Sequence, residues 1–337
     1  MKRSVTVLVL AVFVAMGAWS GGQKEAPVSD GTTGTVTLYT SETSSDVEGY
    51  VRQFELSNPG VSVEVFRLGT TELVARLMTE LQAGSTSADV VWFADMALFE
   101  RLAENGDLLK INPSEAQNIP AKYVYFDGMA YEARLIYQII AYNTNLVTST
   151  PTSWWDLTDS KYRGAVGSAS PFVSGATVTQ VATVSQDERL GWDFYKKLAA
   201  NDPVVSGGNG GIAQGIASGE YAIGITVDFM ARAQMKQGAP LNYIYPEEGA
   251  LYVPTPVGVM AQTDVPELAT QFVNYLLSVE GQIQQQNNGY MPVNRKVALP
   301  EGIPSANDIP ILTTDWNFLA ENRDMLLDQF AEIFGID

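Results

Sequence analysis

Cysteine and histidine are both missing from the 337 residues of the chain. Without cysteine there is no disulfide and no thiol nucleophile. Without histidine there is no Ser-His-Asp hydrolysis, and without either residue there is no Cys/His zinc site. Any chemistry would have to rest on Asp, Glu, Lys, Tyr or Ser, and the sequence predicts neither a metal site nor a cofactor.

Basic residues are scarce as well. The chain has 20 Lys and Arg against 38 Asp and Glu, a formal net charge of −18. Such a chain does not hold a nucleic-acid backbone by bulk electrostatics, so no nucleic-acid partner is expected. The surplus of acids favours solubility, and it means that any anion site must be built locally, against the field of the whole protein.

Long apolar runs are confined to the N-terminus, since no later segment reaches the roughly 18 apolar residues of a membrane span. Basic residues at positions 2–3 precede the apolar run Val5–Val14, and a small-residue cleavage motif ends at Ser20. This arrangement predicts a signal peptide over 1–20, removed between Ser20 and the following glycine. The mature protein, starting with a tether at 21–34, is expected in the periplasm or outside the cell.

Hydrophobic periodicity predicts alternating strands and helices in the first part of the mature chain. Strands are predicted at 35–39, 61–66 and 89–93, from β-branched and apolar runs. Helices are predicted between them at 47–56 and 73–81. This βαβαβ order is typical of a doubly wound α/β sheet.

The same alternation continues further along the chain and predicts two α/β lobes. The first comprises 35–137 and 256–337, and the second, 138–255, is inserted into it. Extended segments near 135–142 and 252–260 are predicted to cross between the lobes and form a hinge.

Seven short motifs form one ordered pattern along the mature chain. They are Leu38-Tyr39-Thr40-Ser41, Asp89-Val90-Val91-Trp92, Ala141-Tyr142-Asn143-Thr144, Pro151-Thr152-Ser153-Trp154, Ser218-Gly219-Glu220-Tyr221-Ala222-Ile223-Gly224, Tyr245-Pro246-Glu247-Glu248-Gly249 and Gly289-Tyr290-Met291-Pro292-Val293. Together they resemble the extracellular solute-binding proteins of bacterial ABC transporters, in the branch that carries ferric iron, phosphonates, sugar phosphates or thiamine. The resemblance implies a type II periplasmic-binding fold that closes over a small ligand, a membrane permease as partner, a monomer, and no enzymatic activity.

Four places put small or hydroxylated residues after a strand and at a predicted helix start. A helix N-terminus offers unpaired N–H groups and partial positive charge, which suit an anion, although any one such place is more often an ordinary N-cap. The residues predicted to hold an anionic ligand there are Ser41, Thr70, Thr71, Ser174, Gly175, Ala176 and Asn209.

Five further residues are candidates with an alternative role each. The resemblance implies that Asp228, after a buried strand, meets an amine or hydroxyl of the ligand, though it could instead cap a helix. Glu248 could do the same or be a solvated loop charge, and Asp95 lies at the sheet edge where doubly wound folds place ligands. Tyr39 could line the pocket or belong to the core. Arg134 could bind a phosphate bidentately or form a salt bridge on the surface of a lobe.

The resemblance also bears on iron. In the iron-carrying branch two adjacent tyrosines, a histidine and an acid hold the metal. In this chain Phe229 and Met230 occupy the tyrosine positions and Thr43 the histidine position. The position of the acid corresponds to Ala94 or Asp95. This departure from the pattern predicts an organic anion instead of Fe³⁺, with a phosphonate or phosphorylated compound bearing an amine or hydroxyl as the leading hypothesis.

Two alternatives stay open at this point. One is a ferric-iron carrier with unfamiliar ligands such as Tyr290 or Glu248. The other is a secreted carboxylate-dependent glycosidase, in which Asp228 with Glu248 or Asp95 would supply paired acids about 5–10 Å apart.

Overall fold

The computed structural model describes residues 33–336. The predicted signal peptide and nearly all of the predicted tether lie outside the described residues. Within this part of the chain no helix is both long and apolar enough to cross a membrane.

Strands and helices alternate along most of the described chain. The strands are β1 (Gly34–Thr40), β2 (Val61–Arg67), β3 (Val90–Trp92), β4 (Val124–Tyr125), β5 (Ala130–Glu132), β6 (Tyr137–Asn143), β7 (Val166–Ser168), β8 (Val204–Val205), β9 (Ile223–Val227), β10 (Leu241–Ile244), β11 (Ala250–Tyr252), β12 (Pro256–Val259) and β13 (Ile311–Leu312). The helices are α1 (Ser44–Ser57), α2 (Thr70–Gln82), α3 (Met96–Asn105), α4 (Gly175–Gln186), α5 (Gly191–Ala200), α6 (Asn209–Ser218), α7 (Asp228–Lys236), α8 (Pro266–Leu277), α9 (Val279–Asn287) and α10 (Trp316–Phe334).

The first sheet has the strand order β2-β1-β3-β12-β5-β4. Strand β1 pairs in parallel with β2 and β3, and helices α1 and α2 make the crossovers. All three residues of β3 are buried, as expected for a central parallel strand covered on both faces. Strand β12 returns from the second half of the chain and pairs antiparallel with β3 and β5, so the sheet is mixed.

The second sheet has the order β13-β11-β6-β9-β7-β8, with β10 paired to β6. All seven residues of β6 are buried, and this strand runs antiparallel to β9, β10 and β11. Strand β7 pairs in parallel with β8 and β9. The fold is therefore α/β with two sheets, which confirms the predicted class.

Two short segments pass from one sheet to the other. Residues 133–136 join β5 to β6, and residues 253–255 join β11 to β12. The carboxylate of Glu132, fully buried at the end of β5, accepts hydrogen bonds from the backbone N–H and the hydroxyl of Thr255, at 2.8 and 2.9 Å. The two crossings are thus held side by side.

The C-terminal end of the chain departs from the predicted division into lobes, which assigned all of 256–337 to the first. Strand β13 pairs with β11 in the second sheet. Helix α10 buries Leu319, Leu326 and Phe330 in the same cluster as Tyr195 of α5. These three apolar residues recur at helical spacing and form one stripe, which packs in a cluster built largely by residues of the second lobe, with Ala97 of α3 from the first.

Candidate functional site

A cavity of about 510 Å³ lies between the two sheets. Four of the residues that line it are the N-cap residues of α1, α2, α4 and α6, namely Thr43, Gly69, Ser174 and Gly208. Each helix N-terminus brings unpaired backbone N–H groups and partial positive charge. Because two of these helices belong to each lobe, an anion in the cavity would be approached from both sides.

The hydroxyl and amide groups at these helix starts are tied together in pairs. In the first lobe the Thr70 hydroxyl donates to Ser41 Oγ at 2.9 Å. In the second lobe Asn209 Nδ2 donates to Ser174 Oγ at 2.8 Å, while the same oxygen accepts from the backbone N–H of Thr177 at 3.3 Å. The paired groups have fixed orientations, which lowers the entropy lost when a ligand is bound.

The lobes touch at the start of α4. A Cβ atom built on Gly175 would lie 2.7 Å from Cγ2 of Thr70 and would also collide with the carbonyl oxygen of Ala94. Nearby, the hydroxyl of Thr71 donates to the carbonyl oxygen of Pro171 at 3.3 Å. Glycine at position 175 is therefore what allows the second lobe to approach the first this closely.

Arg134 lies against the cavity with a side chain that is only 1 % exposed. Its Nη2 atom forms an ion pair with Glu42, whereas Nε and Nη1 are buried and have no hydrogen-bond partner. The guanidinium carbon sits 3.6 Å from the ring centroid of Tyr290 and 4.8 Å from that of Trp92. Burial lowers the pKa of Arg134 to about 10, which leaves the group charged at neutral pH.

Unpartnered buried donors cost free energy unless a bound group accepts from them. The guanidinium of Arg134 is held in place by stacking on Tyr290 and by the ion pair with Glu42, and two of its nitrogens, Nε and Nη1, keep N–H groups without a partner. Guanidinium N–H groups form strong hydrogen bonds with the oxygens of a carboxylate, phosphate or phosphonate.

Six of the predicted site residues line the cavity. They are Ser41, Thr70, Ser174, Gly175, Ala176 and Asn209. Tyr39, Thr71, Asp95, Asp228 and Glu248 do not belong to its lining.

Asp228 is placed differently from the sequence expectation. It is the first residue of α7 and is fully buried, with its carboxylate accepting from the backbone N–H groups of Tyr137 and Phe229 at 3.1 and 2.9 Å. Its second oxygen pairs with Arg232 at 2.8 Å. These groups compensate the buried charge, so the carboxylate is not turned towards a ligand.

The other predicted residues outside the lining also have protein partners. Asp95 caps α3 and pairs with Arg323 at 2.5 Å. Glu248 accepts from the hydroxyl of Ser153. The hydroxyl of Tyr39 donates to a glutamate of α2 at 3.0 Å.

These placements bear on both alternatives. The acids considered for a glycosidase, Asp228 with Glu248 or Asp95, are engaged by other groups outside the cavity. For iron, the hydroxyl of the fully buried Tyr290 donates to Asp46 at 2.9 Å. Among residues 33–336 no three acidic side chains come together in a way that could hold a metal ion.

Sequence reasoning did not identify Glu42, Arg67, Glu72 and Thr255, which also line the cavity. The sequence left the role of Arg134 open. Its position directly before the apolar run that becomes β6 is informative, because a cation in such a place becomes buried only when it is paired or functional.

Two α/β lobes with a cavity between them, joined by paired crossings, define a type II periplasmic-binding fold. Residues 85–322 match the family described as bacterial extracellular solute-binding proteins. The chain belongs to this family.

Two curated relatives are similar to most of the chain. An uncharacterized protein from Haemophilus influenzae is 26% identical over 294 residues, covering 83% of this chain and 82% of that protein. A putative 2-aminoethylphosphonate-binding periplasmic protein from Salmonella typhimurium is 25% identical over 247 residues, covering 71% of each.

Solved structures show the same fold. The periplasmic binding protein AfuA from Actinobacillus pleuropneumoniae, with fructose-6-phosphate bound, superposes with a TM-score of 0.80 at 23% identity, covering 91% of this chain and 100% of that one. Iron-bound HitA from Pseudomonas aeruginosa superposes with a TM-score of 0.77 at 21% identity, covering 89% and 99%.

Proposed function

We propose that this solute-binding protein captures a small organic anion, a phosphonate or phosphorylated compound bearing an amine or hydroxyl group. It acts as an exported monomer, closes its two lobes on the ligand and delivers it to the permease of an ABC importer. A relative named for 2-aminoethylphosphonate binding and a structural neighbour with fructose-6-phosphate bound support this ligand class.

One observation carries the proposal. Arg134 keeps two guanidinium nitrogens buried and without partners at a cavity that four helix N-termini also approach. In a chain with a net charge of −18, this concentration of donors and partial positive charge is a local exception. Phe229 and Met230 in the lining offer no hard oxygen ligand for Fe³⁺, so the same site suits an organic anion better than iron.

Calorimetric titration of ligand-free protein tests the proposal. We expect binding of 2-aminoethylphosphonate or of a sugar phosphate, and no binding of ethanolamine or of the free sugar, which lack the anion. Ferric iron with citrate is added as a separate arm. Preference for a neutral compound, or a stable coloured iron complex, would contradict the proposal.

A further inference from the structure

The charged side chains of the cavity are balanced in number. Four of its lining residues carry a formal charge: Arg134 and Arg67 are cations, and Glu42 and Glu72 are anions. A site built only to hold an anion would gain nothing from acids, because like charges repel the ligand. The two carboxylates therefore need an explanation of their own.

Two of the four charged residues already form an ion pair with each other. Arg134 and Glu42 form a buried ion pair, with side chains that are 1% and 6% exposed. The carboxylate of Glu42 pairs with one guanidinium nitrogen, so the ion pair as a whole presents no net charge to the cavity. A bare anion bound by the free nitrogens of Arg134 would thus also meet the negative charge of Glu42 at short range.

Glu72 is in a different position. It lies in the first turn of α2, exposed, at a helix start that lines the cavity. None of the ion pairs found in the described chain involves it. Of the two acids that line the cavity, it is the one whose carboxylate is not already held by a cation.

We propose that the cavity selects zwitterionic ligands, with Arg134 binding the phosphonate or phosphate and Glu72 accepting the ligand's ammonium group. This inference rests on the proposed function and narrows its ligand class. It replaces Asp228 as the acid that meets the amine, because Asp228 is fully buried and paired with Arg232. It also gives the protein a means of rejecting inorganic phosphate, which brings no ammonium group to pair with Glu72.

The test compares two probes that differ only in the ammonium group. Calorimetry is run with 2-aminoethylphosphonate and with ethylphosphonate on the wild type, on Glu72→Gln and on Glu64→Gln. Glu64 is exposed on β2 and does not line the cavity, so Glu64→Gln changes the net charge equally without touching the site. Competition with inorganic phosphate is measured in parallel.

We expect the wild type and Glu64→Gln to prefer 2-aminoethylphosphonate by about fivefold or more, the scale of one ion pair that is partly removed from solvent. In Glu72→Gln the preference should fall below about twofold, mainly through loss of affinity for the amine-bearing probe. Equal affinity of the wild type for both phosphonates would overturn the inference and leave the proposed function standing. A preference unchanged in Glu72→Gln would overturn the role of Glu72. Failure of the wild type to bind either phosphonate or a sugar phosphate would overturn the proposed function itself.

Discussion

Replacing Arg134 by lysine tests the proposed role of its guanidinium in binding the anion most directly. Lysine keeps a positive charge opposite Glu42 but removes the two nitrogens, Nε and Nη1, that have no protein partner. A hydrogen bond to a charged group contributes about 1.5–3 kcal/mol, and the lysine ammonium can replace at most one of the two. We therefore expect affinity for 2-aminoethylphosphonate to fall by about 1.5–3 kcal/mol, or about 10–140-fold.

Stability separates binding from folding in this experiment. Arg134→Lys should lose less stability in denaturant than a neutral replacement, because the charge opposite Glu42 is kept although the stacking on Tyr290 is lost. Arg134→Met should lose about 3–5 kcal/mol, since it leaves Glu42 buried without its partner. The double variant Glu42→Gln/Arg134→Met removes both charges, so it should recover much of that stability and still fail to bind.

Arg52→Lys is the matched control, because Arg52 is exposed on α1 and does not line the cavity. It should behave as the wild type in both assays. If Arg134→Lys binds the phosphonate with wild-type affinity, Arg134 serves only as the structural partner of Glu42, and the anion is held elsewhere.

Three further predictions concern Gly175 at the contact between the lobes, Glu132 beside the crossings, and the buried Asp228. Gly175→Ala should weaken ligand affinity in the same titration by about 5–150-fold, the 1–3 kcal/mol typical of overpacking, because its Cβ meets Thr70 and the carbonyl oxygen of Ala94 across the lobes. Wild-type affinity of this variant would contradict the prediction. Burial raises the pKa of Glu132 from 4.5 to about 7. Between these pH values the folded protein keeps the proton and the unfolded chain loses it, so the free energy of unfolding should fall as the pH rises from about 4.5 to 7. The free energy of unfolding of Glu132→Gln should lack this part of the pH dependence. Relative to the wild type, the variant should gain on the order of 3 kcal/mol of stability between pH 4.5 and pH 8. A difference in stability that stays constant over this pH range would contradict the prediction. Asp228→Asn should cost about 3–5 kcal/mol of stability without changing the affinity of the folded protein, and a large loss of affinity in calorimetry would return this residue to the site.

Local patterns predicted the elements of the fold well, because periodicity and capping depend on neighbouring residues. The predicted strand at 61–66 is β2 (Val61–Arg67), and the predicted helix at 73–81 lies within α2 (Thr70–Gln82). The helix starts at Ser174 and Asn209 were recognisable because their side chains suit the first turn of a helix.

The roles of single side chains depend on long-range packing. Asp228 directly follows β9, as the sequence indicates, and begins α7. Its i,i+4 pairing with Arg232 is visible in the sequence, but only the structure gives its burial. The pairing of Glu42 with Arg134 joins residues 92 positions apart, and a single sequence contains no signal for such a contact.

The same residues that would hold the anion also bring the lobes together, and this couples binding to closure. Ser174 and Gly175 line the cavity at the start of α4, and Gly175 packs directly on Thr70 of the first lobe. A ligand shifts an equilibrium between open and closed forms only through contacts that differ between them. An anion held by Arg134 from the first-lobe side and by the α4 and α6 N-termini from the other has its full set of contacts only when Gly175 reaches Thr70. Ligand affinity and lobe closure should therefore fall together in Gly175→Ala, whereas Arg134→Lys should reduce affinity while leaving the lobes free to meet.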